Sequence, residues 1–184
     1  MRELFTPIED ETIELLSVGE TLYLSGTIIT ARDAAHLRLV EMIERGEEFP
    51  PHLELQGRAV FYAGPSPAKP GRPIGSIGPT TAGRMDLYAP LLMSKGIKVM
   101  IGKGLRSPEV IKAIVQYRGI YFAAIGGAAA LMAKCVRSAK VIAFDDLGTE
   151  AIRELVIEKF PVTVAIDSQG RNLYEQGRRE YSRV

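Results

Sequence analysis

In the middle of the chain an apolar run meets a glycine turn and then a helix-forming stretch, twice in succession. Ile97–Ile101 runs into Gly102-Lys103-Gly104, after which Ser107-Pro108-Glu109 opens a helix that Gly119 ends. Ile120–Ile125 runs into Gly126-Gly127 and the alanine-rich helix Ala128–Lys134. Serine as N-cap, proline at the first helical position and glycine past the last are strong local helix signals. A strand, a crossover helix and a second strand make a parallel pair, which a tight hairpin cannot. The succession predicts parallel βαβ units of an α/β fold, with loops gathered at the strands' C-terminal ends.

The flanks extend this pattern. Residues 2–6 read as a short strand, and Thr6-Pro7-Ile8-Glu9 as a capping box with Pro7 in the first turn of a helix ending near Ser17–Gly19. The β-branched stretch Thr21–Thr30 reads as a strand. It passes into a helix from Ala31 to Arg45, with Thr30 and Asp33 as a second capping box and Gly46 as the stop. Gly57–Ala63 is a further strand, and a helix spans 83–95, kinked or restarted at Pro90. Lys140–Phe144 is a strand, while Ala151–Phe160 satisfies helix and strand patterns alike. Val162–Ile166 alternates as a strand before the hairpin-type turn Asp167-Ser168-Gln169-Gly170. The basic tail, Arg178–Val184, is expected to be frayed or docked on a partner. With no repeat or low-complexity segment in 184 residues, one domain over 1–184 is expected.

Chemistry concentrates in Gly75-Ser-Ile-Gly-Pro-Thr-Thr-Ala-Gly-Arg-Met-Asp86. Main-chain N–H groups, the Thr80 and Thr81 hydroxyls and the Arg84 guanidinium all donate hydrogen bonds, which suits a carboxylate or a phosphate. A turn that merely caps a helix is the alternative. The preceding Gly64–Pro79 segment holds five prolines and four glycines. It reads either as a linker or as a stiff loop that delivers Thr80 to a site. Arg32, in the first turn of its helix, opposes the helix dipole, which makes sense if it meets an anion; an ordinary surface arginine is the other reading. Lys103 adds a third cation. His36 and Cys135 fit structural roles, a helix-face histidine and a small buried thiol. No Gly-x-Gly-x-x-Gly follows a strand and no Gly-x-x-x-x-Gly-Lys-Ser/Thr occurs. Two arginines, a lysine and paired threonine hydroxyls therefore fit a small dicarboxylate at least as well as a nucleotide.

Composition narrows the partners. A formal net charge of +1 gives no reason to expect nucleic acid. The apolar run Ile120–Ala133 is broken by glycines and falls short of the roughly 18 residues of a membrane span. Met-Arg-Glu-Leu-Phe lacks the apolar core of a signal peptide, so a soluble, cytoplasmic protein is expected. Cys135 is the one cysteine, beside His36 and His52, so neither a disulfide, a Cys/His zinc site nor an iron–sulfur cluster can be built from this chain alone. Any metal would come with a partner.

Ile77-Gly-Pro-Thr-Thr-Ala-Gly-Arg-Met-Asp86 resembles the signature of the C-terminal domain, or separate β subunit, of the iron–sulfur hydro-lyases, the class I fumarases and L-tartrate dehydratases. The likeness extends to Leu24-Ser-Gly-Thr-Ile-Ile-Thr-Ala-Arg-Asp-Ala-Ala-His36, Tyr62-Ala-Gly-Pro65, Gly102-Lys-Gly104, Gly126-Gly-Ala-Ala129 and Asp146-Leu-Gly-Thr-Glu-Ala151, in the family's order. Ala82 departs mildly, standing where serine is common.

The resemblance implies an α/β fold, a swivelling β/β/α domain with a mixed, partly parallel sheet, that docks on a larger α subunit, as an α2β2 assembly, whose cysteines hold a [4Fe–4S] cluster. It implies that Arg32, Thr80, Thr81, Arg84 and Lys103 face a small dicarboxylate. Thr80 would take the proton from malate C3, with Arg84 and Lys103 stabilising its alkoxide and the developing aci-carboxylate. Hydration of fumarate to (S)-malate is the first expectation, L-tartrate dehydration to oxaloacetate the second, and a non-catalytic anion- or nucleotide-binding module the reading from another class.

Overall fold

The strand patterns resolve into one sheet. The computed structural model describes residues 1–182. In chain order the elements are β1 (Arg2–Thr6), α1 (Asp10–Leu15), β2 (Thr21–Thr30), α2 (Asp33–Arg45), β3 (Ala59–Phe61), α3 (Ala89–Ser94), β4 (Val99–Gly102), α4 (Pro108–Tyr117), β5 (Ile120–Ala123), α5 (Ala129–Lys134), β6 (Val136–Ala143), β7 (Ile152–Ile166) and α6 (Leu173–Tyr181). Two 3-10 turns, Ala82–Met85 and Asp145–Glu150, complete them. The seven strands are ordered β1-β2-β3-β4-β5-β7-β6, and β2 also pairs with β7. The pairs β2–β3, β3–β4 and β4–β5 are parallel, whereas β7 runs antiparallel to β2, β5 and β6. The ladder β2-β3-β4-β5-β7 therefore returns to β2; Thr163 of β7 pairs with Thr21 on one side and Ala123 on the other.

Both faces of the parallel strands are covered, which is why they read as unbroken apolar runs. Ala59, Phe61, Val99, Ile101, Ile120 and Phe122 enter one core, with Ile13 and Leu16 beside α1 and Met132 of α5. Val60, Met100 and Tyr121 turn the other way, onto Leu39 of α2, Leu92 of α3 and Ile114 of α4. Phe61 is fully buried with its ring edge on Phe160, centroids 5.2 Å apart. Burial of such a side chain contributes about 2–3 kcal/mol. The expected α/β class and mixed, partly parallel sheet are what forms. Among the described residues no helix is long and apolar enough to cross a membrane.

Several local expectations are corrected. Thr6 is the last residue of β1, not an N-cap: its hydroxyl donates to the Thr27 carbonyl at 2.8 Å, and α1 starts only at Asp10. Thr30 and Asp33 form no capping box. Thr30 Oγ1 instead accepts from the Arg153 amide, and the Ala34 amide is capped from 116 residues away, by Glu150 Oε2 at 2.8 Å. Arg32 is accordingly the extended N-cap residue of α2 rather than part of its first turn. The helix expected over 83–95 is two pieces, the turn at Ala82–Met85 and then α3, with Pro90 in the first turn of α3. Of the ambiguous stretch Ala151–Phe160, all but Ala151 is strand, continuous with Val162–Ile166 as β7 (Ile152–Ile166), because both of its edges are paired. Val136–Ala143 makes the strand expected at 140–144 longer and earlier. The tail is not frayed from Arg178: α6 runs through Tyr181, capped by Asn172 Oδ1 on the Tyr174 amide; Arg183 and Val184 lie outside the described residues.

Candidate active site

Parallel strands point their C-terminal ends one way, so the segments after β2, β3, β4 and β5 share an edge. Arg32 follows β2, Tyr62–Gly64 follows β3, Lys103 follows β4 and Gly126-Gly127 follows β5. Thr80–Ala82 is laid into this edge as an extra rung. The Thr80 amide donates to the Tyr62 carbonyl at 2.6 Å, the Lys103 amide to Thr80 O at 3.3 Å and the Ala82 amide to Lys103 O at 2.8 Å. Thr81 and Lys103 form a parallel bridge. The proline-rich segment is thus an ordered delivery loop, not a linker: Ile77 N donates to Ala129 O, and Ser66 and Ser76 pair across it.

The close approach demands a residue without a side chain at 102. A Cβ on Gly102 would lie 2.9 Å from the Tyr62 ring and 3.1 Å from the Ala82 methyl. Ala82 itself is fully buried, so the Ala-for-Ser departure falls in the core rather than on the open edge. Thr80 is half-buried, and Thr81, Arg84 and Lys103 are exposed.

The arginines are yoked by acids. Asp33 Oδ1 accepts from Arg84 Nε at 2.8 Å, while Asp33 Oδ2 and Glu150 Oε1 each lie 3.6 Å from Arg32 Nη2. Among the described residues Arg32 Nε is buried without a hydrogen-bond partner, as is Asp33 Oδ2. Lys103 has no carboxylate within ion-pair distance among the described residues. Three cations against two acids leave the edge one charge positive, with a buried N–H unsatisfied, and such donors favour an anion.

His36 is fully buried, in keeping with the structural role expected of it. Its Nδ1–H donates to the Arg32 carbonyl at 2.8 Å and its ring meets Tyr62 edge-on at 5.3 Å. Burial lowers its pKa to about 4, so the ring is neutral at pH 7 and adds no charge beside Arg32. Cys135 is only half-buried, less than expected, because it closes α5 at the surface; its thiol is within reach of the Leu131 and Lys159 carbonyls, and burial raises its pKa. Among the described residues no three His, Cys, Asp or Glu side chains are grouped to hold a metal ion. A [4Fe–4S] cluster therefore does not fit this chain's own residues.

Sequence reasoning missed the support beneath the edge. The Arg106 guanidinium is wholly buried, donates from Nε to Asp86 Oδ1 at 2.7 Å, and stacks on Tyr62 and Tyr121 at 5.3 and 4.9 Å. The Tyr121 hydroxyl donates to Gly104 O at 3.0 Å; burial, the largest influence, pushes its pKa up and keeps it a donor. The one signal in the sequence was Asp86 closing the Thr80 motif, an acid with no partner in view.

The fumarase C-terminus family model matches residues 3–177, nearly the whole chain. The chain belongs to the fumarase C-terminus family. It is 43% identical over 161 residues to fumarate hydratase 1, mitochondrial, of Leishmania major, and 41% identical over 161 residues to the anaerobic class I fumarate hydratase of Escherichia coli. Each match covers 86% of this chain and 29% of the relative. The chain thus spans less than a third of the length of these fumarate hydratases. It is also 31% identical over 184 residues to the L(+)-tartrate dehydratase subunit beta of Escherichia coli, covering 97% of this chain and 89% of that subunit. The relatives of this fumarase C-terminus chain are hydro-lyases, and those it matches from end to end are named as beta subunits.

Proposed function

We propose that this chain is the β subunit of a cytoplasmic iron–sulfur hydro-lyase that reversibly hydrates fumarate to (S)-malate. It supplies half of a dicarboxylate site and works only with an α subunit, in an α2β2 assembly. The observation that supports the reading is the Thr80–Lys103 rung, which fixes the main chain of Thr80, Thr81 and Lys103 at the edge that also carries the acid-paired Arg32 and Arg84. The match over 89% of a protein named as a beta subunit supports the partner.

In this reading Arg32, Thr81 and Arg84 bind the substrate carboxylates. Arg32 Nε, unsatisfied among the described residues, gains an acceptor. Thr80, as alkoxide, takes the proton from C3 of malate; the electrons left behind move into the adjacent carboxylate. Lys103 stabilises both the alkoxide and that aci-carboxylate. A threonine hydroxyl is a weak acid, so this role depends on the cations around it and on exclusion of water. The [4Fe–4S] cluster, held by the α subunit, would supply Lewis acidity toward the substrate's hydroxyl and carboxylate.

The second reading is L-tartrate dehydration to oxaloacetate, favoured by the 89% coverage of the Escherichia coli beta subunit. The two substrates differ by one hydroxyl, and nothing in Arg32, Thr80, Thr81, Arg84 or Lys103 discriminates it. Anaerobic co-expression with the α subunit, followed by assays with fumarate, tartrate and mesaconate, decides between them. Activity of this chain alone, without iron, would refute both.

A further inference from the structure

We propose that Tyr174, at the start of α6, is a positioning residue for the Lys103 ammonium, acting through Gly104; this rests on the reading of Lys103 as a catalytic cation. Two peptide units flank Lys103, and all four of their polar groups are bonded. Gly102 O accepts from the Ala124 amide at 2.8 Å, the Lys103 amide donates to Thr80 O, and Lys103 O accepts from the Ala82 amide. Those three bonds belong to the sheet edge. The fourth is different: the Gly104 amide donates to the Tyr174 hydroxyl at 3.2 Å, the one side-chain bond in the set.

Gly104 sits at φ +85°, where glycine turns freely, so the peptide between Lys103 and Gly104 depends on its bonds for its orientation. Tyr121 holds Gly104 O, and Tyr121 is itself fixed by burial and by the Arg106 guanidinium. Tyr174 holds the amide of the same residue. Its own place is set by the end of β7: Asn172 pairs with Ile166 and caps the Tyr174 amide at 3.0 Å. Asp167 ties that turn together, accepting from the amides of Gln169 and Arg171 at 3.1 Å and from Val18 at 3.2 Å. The C-terminal helix therefore reaches the site edge through one hydroxyl, while the Lys103 side chain stays exposed above it.

The test is Tyr174→Phe in the enzyme assembled with its α subunit. The ring is kept and only the acceptor is lost. The expected result is a fall in kcat of roughly tenfold with KM for fumarate within about twofold, because the displaced cation acts mainly in the transition state. In a Lys103→Met background the same substitution then has no further effect. An unchanged kcat overturns the proposal, and so does a loss that persists at full size in that background. If Lys103→Met alone retains full kcat, the catalytic reading of Lys103 falls instead. The grip is then judged by hydrogen exchange at the Gly104 amide: faster exchange in Tyr174→Phe upholds it, and unchanged exchange overturns it.

Discussion

Asp86→Ala tests whether the buried support under the site edge is organised as described. The Arg106 guanidinium has 0% of its side chain exposed, and its counter-charge is Asp86, 2.7 Å away. The other Asp86 oxygen accepts from the Ser107 amide at the start of α4. Removing the carboxylate strands a cation between two tyrosine rings and leaves that amide without its acceptor. Breaking one side of a buried ion pair costs about 3–5 kcal/mol. At roughly 2–4 °C per kcal/mol for a chain of this length, a loss of about 4 kcal/mol lowers Tm by roughly 8–16 °C. Urea unfolding followed by circular dichroism, with calorimetry, reads this directly. Adding Arg106→Met should recover much of the loss, since an apolar side chain of similar length beside Met100, Tyr62 and Tyr121 carries no charge to strand. A single variant within about 1 kcal/mol of the parent, or a double variant less stable than the single, would refute the reasoning.

Three further outcomes follow from the same geometry. Thr80→Ala should lower kcat of the assembled enzyme by about a hundredfold or more while KM changes little; the reverse pattern, weakened binding with kcat kept, reduces Thr80 to a hydrogen-bond donor. Glu150→Ala removes both the α2 cap and a partner of Arg32, so stability should fall by about 0.5–2 kcal/mol in denaturant titrations and KM should rise. His36 gives a pH signature. Its folded pKa of about 4 lies below the ordinary 6.5, so the unfolded chain binds the proton first as pH falls. Its contribution is complete above 6.5 and is lost between 6.5 and 4, at about 1.4 kcal/mol per pH unit. His36→Gln should flatten that part of the stability–pH curve, and an unchanged slope would show that His36 is not the group responsible.

The parallel core was legible because its signals are local. Ser107-Pro108 does cap α4, with Ser107 Oγ accepting from the Val110 amide at 3.3 Å, and glycines do end β4 and α2. The site residues were legible as a motif but not as a geometry. Thr80 meets Lys103 through pairing of a proline-rich loop with a strand end, and loops of that composition carry no strand period. The α2 cap failed for the same physical reason: Thr30 was the nearest hydroxyl in sequence, but its oxygen serves β7, and Glu150 arrives from across the fold. Residues 151–160 stayed ambiguous because a segment with charges at Arg153, Glu154, Glu158 and Lys159 has no clean alternation; pairing on both edges, not propensity, makes it a strand. Arg106 was invisible because a buried arginine looks like any other until its acid is placed.

In the proposed reading, the exposure of the edge accounts for a half-site that is inert on its own. Asp33 already meets most of the charge of Arg84, whose side chain is 54% exposed, and an ion pair that open contributes at most about 1 kcal/mol. Lys103 stands in water, where its field at Thr80 is screened by a high dielectric. No threonine hydroxyl ionises near pH 7 in such surroundings. In that reading Arg32, Arg84 and Lys103 become effective when the α subunit covers them, because excluding water strengthens the interactions at the rung. Rigidity on this side and desolvation from the other are separate requirements, and the fold supplies only the first. In the proposed reading the α subunit therefore does more than carry iron: closing over Thr80 and Lys103, it turns an anion-binding edge into a base.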